Sequence, residues 1–394
     1  MGGPRVLAAR MAQIAPFEVM EVLDAARRLE ASGRDVIHLE VGEPDFPTPA
    51  PVVRAAHAAL DAHPMFYTSA VGMPELREAI SGWYQRAFGV DVSADRIIVT
   101  SGSSAALVMA LGALVGPGDQ VLMSDPGYPC NRNLVRYLDA DPVLVASGPE
   151  HAYQLTAGLA AAAWGPATRA AIAASPSNPT GTCLTQDQWF DLAETCRSRG
   201  GVLIADEIYQ GLVYDGPPET VLAVADDVWV VNSFSKYFQM TGWRLGWLVV
   251  PDGVTRDIEK VAQNLYISAP TPAQYAALAA LSEEGLAVVE ERRAELGRRR
   301  DVLLEELPKI GFAVRARPSG AFYIYCDVSA FTDDSFAFAA WLLEETGVAL
   351  TPGRDFGDAA PRQHLRIAYT QPVERLREAV HRIGAALQLR PRRV

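Results

Sequence analysis

Cysteine is scarce in this chain: four residues in 394, at positions 130, 183, 196 and 326, with no Cys-x-x-Cys pair and no histidine set beside them. That spacing excludes a disulfide framework or a zinc site and leaves four reduced thiols with structural roles. Positive charge is also short, since 35 Lys and Arg face 47 Asp and Glu for a formal net charge of -12. An acidic protein with a pI near 5.1 lacks the basic face that a nucleic-acid partner requires, so small metabolites are the expected ligands. No apolar run approaches the ~20 residues of a membrane span. The start, Met1-Gly-Gly-Pro-Arg5, lacks the apolar core of a signal peptide, and a cytoplasmic protein is expected. Internal repeats and low-complexity linkers are absent as well.

What is present is a 49% hydrophobic composition, enough over this length for one large domain and a smaller one. The most informative stretch is Ser233-Phe-Ser-Lys236-Tyr-Phe-Gln-Met-Thr-Gly-Trp-Arg244-Leu-Gly-Trp247. It follows Val228-Trp-Val-Val-Asn232, an apolar β-branched run that reads as a buried strand. Desolvation among Phe, Met and Trp disfavours an ammonium, and a neutral lysine amine is a nucleophile suited to Schiff-base chemistry. Pyridoxal phosphate is the usual carbonyl cofactor held this way. Ser233 and Ser235 offer hydroxyls, Arg244 a permanent anion clamp, and Gly242 and Gly246 a bare backbone, which together suit a phosphate. The plainer reading is a surface lysine after an edge strand.

This Ser-Phe-Ser-Lys-x7-Gly-Trp-Arg-Leu-Gly motif resembles the lysine motif of the class I/II aminotransferases, the fold-type-I pyridoxal-phosphate family. Further motifs in family order extend the resemblance over nearly the whole chain. It implies an α/β fold, with a large domain whose mostly parallel sheet is covered by helices and a smaller α+β domain. The expected division is 1–46 for an N-terminal arm and part of the small domain, 47–285 for the large cofactor domain, and 286–394 for the small domain.

Taken in order, residues 7 to 31 read as two helices broken near Pro16, and residues 50 to 62 as an alanine-rich helix. Val36-Ile-His-Leu-Glu-Val-Gly42-Glu-Pro-Asp-Phe-Pro47 is a short strand running into a loop. In the family that loop encloses the substrate, and Gly42 can present a bare amide. Tyr67 alone reads as packing; its family counterpart reaches the cofactor phosphate of the other subunit, which implies a homodimer. Strand Arg96–Thr100, the turn Ser101-Gly-Ser103-Ser104 and a helix to Leu114 form an anion site, because free amides and the helix dipole converge there. Ser103 and Ser104 are read as phosphate ligands.

Tyr128 ends another strand, where the family stacks an aromatic on the pyridine. Asn178 can donate to the cofactor's phenolate oxygen, and the Asp125-Pro126 and Asn178-Pro179 bonds are candidates for cis peptides. Asp206 ends the apolar run Gly201-Val-Leu-Ile-Ala, at the carboxyl end of an expected parallel strand. There it would pair with the pyridine nitrogen, although an aspartate can also cap the next helix. Tyr209 is within reach of the phenolate. Residues 256 to 307 read as helices whose charge runs, Glu290-Glu-Arg-Arg and Arg298-Arg-Arg, are solvated. Strands follow at Phe312 to Arg315 and Ala321 to Cys326, a helix spans 335 to 346, and Arg366 lies in an alternating strand. A guanidinium fixed there suits bidentate capture of a carboxylate, and the family uses it for the substrate α-carboxylate.

The resemblance implies an aminotransferase in which Lys236 binds the cofactor and carries the proton, assisted by Asp206 and Tyr209. Segment 97 to 131 holds no Lys or Arg, so a side-chain carboxylate finds no cation where some aspartate aminotransferases place one. A neutral donor such as alanine or an aromatic or branched amino acid is expected, with Phe17, Tyr266 and Tyr323 around it. Aspartate aminotransferase and a carbon-sulfur β-lyase on the same fold are the alternatives. A transcriptional regulator is disfavoured by the acidic charge and by the lack of room for a DNA-binding domain before residue 36.

Overall fold

The computed structural model describes residues 7–359 and 361–389, so the reading of Met1 to Arg5 lies outside the described residues. A 3-10 turn, Ala9–Gln13, precedes the helix Glu18–Ala31, with the break at Pro16. Strand β1, Ile37–His38, then leads into the Gly42 loop, and the alanine-rich helix spans Ala50–Ala62.

Seven strands make the central sheet: β2 (Ile97–Thr100), β3 (Gln120–Asp125), β4 (Asp141–Ala146), β5 (Thr168–Ala174), β6 (Val202–Asp206), β7 (Trp229–Ser233) and β8 (Gly246–Val249). Their order is β2-β8-β7-β6-β5-β3-β4. Strands β4, β3, β5, β6 and β7 run parallel, while β8 pairs antiparallel with both β7 and β2. Every residue of β2, β7 and β8 is buried, as expected of continuous apolar runs covered on both faces. The parallel direction brings Asp125, Ala174, Asp206 and Ser233 to one edge, where open α/β sheets bind ligands. The Asp125-Pro126 and Asn178-Pro179 bonds at that edge are cis, and so is Ser175-Pro176.

The helix Glu283–Glu306 carries the chain to a second sheet, formed by β9 (Tyr323–Asp327), β11 (Thr351–Pro352) and β12 (His364–Ala368) in the antiparallel order β11-β12-β9. Strand β10, Val348–Ala349, instead pairs parallel with β1, which ties the amino-terminal segment to this part of the molecule. Helices Ser335–Thr346 and Val373–Gln388 belong to the same part and contribute Phe338, Leu342, Leu376 and Ile383 to the core.

Two expectations are corrected. Phe312 to Arg315 is not a strand: a single bridge joins Ala313 to Asp327, and bends at Arg315 and Ala316 turn the chain away. Nor are the arginines of 298–300 all solvated. Consecutive helical residues point about 100° apart, and Arg299 and Arg300 turn inward, where each is almost fully covered. Arg299 pairs with Asp45 at 2.8 Å and lies over the Phe46 ring; Arg300 pairs with Asp215 at 2.8 Å and lies over Tyr214. Burial of these charges is tolerated because both are paired.

Candidate active site

The sheet's carboxyl edge, the Gly42 loop and β12 enclose a cavity of about 260 Å³. At one end the helix Ser103–Leu114 begins after Gly102, whose φ of +81° only glycine adopts readily. Ser103, Ser104 and Arg244 line this end. A Cβ on Gly102 would stand 2.5 Å from Nη2 of Arg244, and one on Gly246 would stand 2.8 Å from the Ser103 amide. The two glycines thus let a guanidinium and a helix N-terminus converge, which is the donor set that a phosphate dianion requires.

Beside it, the loop after β7 presents Lys236. Phe234 and Phe238 on either side are buried against Trp83 and Trp247, which anchors the loop from beneath. Lys236 Nζ donates to the Gly42 carbonyl at 2.8 Å, and burial pulls its pKa down to about 8. Asp206, 3% exposed, ends β6; burial raises its carboxyl to about 6, opposed by the Ile208 amide at 3.3 Å and by the Lys236 charge. The Tyr209 and Tyr323 hydroxyls lie 2.9 Å apart, and burial pushes the Tyr209 phenol well above its ordinary value, so it stays a neutral donor. A Cβ on Gly42 would meet the Tyr323 hydroxyl at 2.4 Å, so this loop approaches only as glycine.

Across the cavity, Arg366 is 4% exposed, on the strand position opposite Thr351 and Tyr325. Its Nη1 donates to Asn178 Oδ1 at 3.0 Å and its Nη2 to the Glu40 carbonyl and Thr351 Oγ1 at 2.5 and 3.1 Å. The guanidinium lies over the Tyr323 and Phe356 rings at 4.4 and 5.0 Å, and its Nε is buried without a hydrogen-bond partner among the described residues. A buried, rigidly held guanidinium with an unsatisfied donor fits an incoming carboxylate.

The chain matches the family described as aminotransferase class I and II over residues 34–383. It is 41% identical over 378 residues to the valine–pyruvate aminotransferase of Mycobacterium tuberculosis, covering 95% of this chain and 97% of that one. The chain belongs to the class I and II aminotransferases. The aspartate/prephenate aminotransferase of Thermus thermophilus is 36% identical, with 97% and 99% covered. A crystal structure of an aminotransferase from M. tuberculosis superposes with a TM-score of 0.95 at 40% identity, covering 98% of this chain and all of that one. This aminotransferase therefore has the fold-type-I architecture and depends on pyridoxal phosphate. The residues fit that group, since an amine, a carboxylate and a phosphate cradle face one cavity.

Of the residues singled out in the sequence, Gly42, Ser103, Ser104, Tyr128, Asn178, Asp206, Tyr209, Ser235, Lys236, Arg244 and Arg366 line the cavity, as do Phe17 and Tyr323. Three do not. Ser233 is consumed by the loop, its Oγ accepting the Ser235 amide at 2.9 Å and facing the Leu245 carbonyl at 3.4 Å. Tyr266 directs its hydroxyl to Met109 Sδ at 3.5 Å, behind the phosphate helix. Tyr67 is 77% exposed on the surface of the single chain. The sequence reading missed Val19, Leu107, Ile208, Asp355 and Phe356, which also line the cavity. Four are apolar residues indistinguishable from core by pattern, and Asp355 sits in Gly353-Arg-Asp-Phe-Gly357, a stretch that reads as an ordinary polar turn.

Proposed function

We propose that this enzyme moves the α-amino group of a neutral amino acid, of the alanine, branched or aromatic class, to a 2-oxo acid in a ping-pong cycle. The carrying observation is the inventory of charge in the cavity. Its lining cations among the described residues are Lys236, Arg244 and Arg366. With these given to the cofactor's aldehyde, its phosphate and the substrate α-carboxylate, none of the lining cations of this chain is left for a second carboxylate, and Arg132 behind Tyr128 and Phe356 is engaged with the Asp355 carbonyl at 2.8 Å. The side-chain end is bounded by Phe17, Val19 and Phe356. The name of the M. tuberculosis relative, a valine–pyruvate aminotransferase, supports the same donor class. That of the T. thermophilus relative supports aspartate as the second reading.

When bound, pyridoxal phosphate supplies an aldehyde for the amino group and a ring that accepts the electrons released at Cα. In this reading Ser103, Ser104, Ser235 and Arg244 hold its phosphate, and Asp206 keeps the ring nitrogen protonated. Tyr128 would lie against the ring, and Tyr209 and Asn178 would supply hydrogen-bond donors to it. Arg366 and Asn178 would orient the α-carboxylate so that the Cα hydrogen faces Lys236, whose neutral amine would take and carry that proton. The Gly42 loop and Tyr323 cover the site from water.

We further propose a homodimer in which Tyr67 completes the partner's phosphate site. Phe66, Tyr67 and Ile267 are exposed apolar side chains, and the Thr271 hydroxyl donates to the Phe66 carbonyl at 2.8 Å. The working units are taken as 47–285 for cofactor binding and 286–394, with the segment before 47, for closing over the substrate. Four unpaired cysteines suit a reducing, cytoplasmic setting, and no helix among the described residues is long and apolar enough to cross a membrane.

The test is an initial-rate survey of valine, alanine, phenylalanine and aspartate as donors to pyruvate and other 2-oxo acids. Parallel double-reciprocal lines are expected, with the best neutral donor ahead of aspartate by at least about 10-fold in kcat/KM. Aspartate ahead by that margin overturns the neutral-donor reading.

A further inference from the structure

Asp355 is an acid in a place where the chemistry needs none. It is 4% exposed, lines the cavity beside Phe356, and lies within the turn Gly353–Phe356 that follows β11. One carboxylate oxygen accepts the Glu18 amide at 3.2 Å and the other the Val19 amide at 3.4 Å, the free donors at the start of helix Glu18–Ala31. Arg354 adds an ion pair to Glu18 at 2.7 Å. The same turn is tied to the opposite wall: Arg132 donates to the Asp355 carbonyl at 2.8 Å, and the Gly127 amide to the Phe356 carbonyl at 2.8 Å. Asp355 therefore stands where the amino-terminal helix, the second sheet and the Tyr128 loop meet. The residues its carboxylate fastens, through Val19 and the adjoining Phe17, are cavity lining.

We propose that Asp355 sets the donor preference of this enzyme, a reading that rests on the site assignment above. It holds Phe17 and Val19 across the side-chain end of the cavity, and there its carboxylate offsets the positive charges of Arg132 and Arg366, which would otherwise attract a second carboxylate. Like charges at short range in a desolvated site repel strongly, so a dicarboxylic donor meets a barrier that its amide isostere does not. The residue is a positioning and specificity-determining group; it does not touch the reacting atoms.

The wild-type enzyme provides the first measurement, since asparagine and aspartate differ in charge but little in shape. An asparagine-to-aspartate ratio in kcat/KM of about 10 or more is expected, and a ratio near one overturns the proposal. In Asp355→Asn, Oδ1 still accepts an amide hydrogen bond but the charge is gone. The ratio should fall by about 10-fold, mainly through a lower KM for aspartate, while Asp355→Glu should retain discrimination. Phe17→Ala should raise KM for valine and leave the asparagine-to-aspartate ratio alone, which separates the wall from the charge. A folded, cofactor-loaded Asp355→Asn with an unchanged ratio refutes the role of the charge while leaving the aminotransferase site intact. If the wild-type enzyme transfers an amino group from no α-amino acid, both this proposal and the site reading fall.

Discussion

At the scale of single residues, the sequence offers a sharper pointer than its motif. Lysine occurs at only three positions, 236, 260 and 309. Lys260 and Lys309 are exposed and paired with carboxylates three or four residues away, so Lys236, half-buried in the cavity wall, is the one amine at the site. Borohydride reduction of the loaded enzyme followed by peptide mapping should label Lys236 alone; label on Lys260 or Lys309 contradicts its role. Lys236→Ala should lose about 10²- to 10⁴-fold in kcat, as expected on removal of a positioned base, without loss of fold. Gly102→Ala should weaken cofactor affinity by about 10-fold or more, read as the midpoint of cofactor titration, because φ of +81° and the 2.5 Å approach to Arg244 leave no room for a methyl. Polar residues that interrupt apolar runs, such as Asp206 and Lys236, were legible because burying them demands a reason. Asp355 was not, since a buried aspartate in a turn looks like a surface one until the helix it caps is seen.

At the scale of elements, strand ends and helix limits were readable from apolar periodicity: the helices at Ala50–Ala62 and Ser335–Thr346 match the expected spans. What one-dimensional pattern does not carry is which charges turn inward, as with Arg299 and Arg300, or that β1 pairs with β10 more than 300 residues away. That junction carries a pH dependence. His38 on β1 lies 2.7 Å from the buried Glu40 and 3.1 Å from Glu30, and the hydrogen bond to Glu40 raises it from 6.5 to about 9 despite burial. A raised folded-state pKa contributes stability in full below 6.5, loses it as pH rises towards 9, and contributes nothing above. With partial exposure discounted, about 2 kcal/mol is at stake. Urea midpoints should therefore fall between pH 6 and pH 10 by more in the wild type than in His38→Gln. Equal falls contradict the assignment. Because the Glu40 carbonyl holds Arg366 at 2.5 Å, KM for the donor should rise over the same interval.

At the scale of the whole molecule, the fold class was legible because parallel strands need buried, unalternating runs, and the chain supplies them between residues 120 and 233. The proposed homodimer rests on Tyr67, which is 77% exposed in one chain. Sedimentation should show a dimer, and Tyr67→Ala should weaken cofactor binding in that dimer; a monomer with full cofactor affinity contradicts the shared site. The central claim is that this one cavity takes an amino group from an amino acid onto its own cofactor and passes it on. The most direct measurement follows the visible absorbance of the enzyme loaded with pyridoxal phosphate, first with valine or alanine alone and then with pyruvate. The band should disappear with the amino acid in the absence of any 2-oxo acid, return on addition of pyruvate, and do neither at a comparable rate in Lys236→Ala. A protein that develops no band with the cofactor, or whose band is indifferent to every amino acid, contradicts the account.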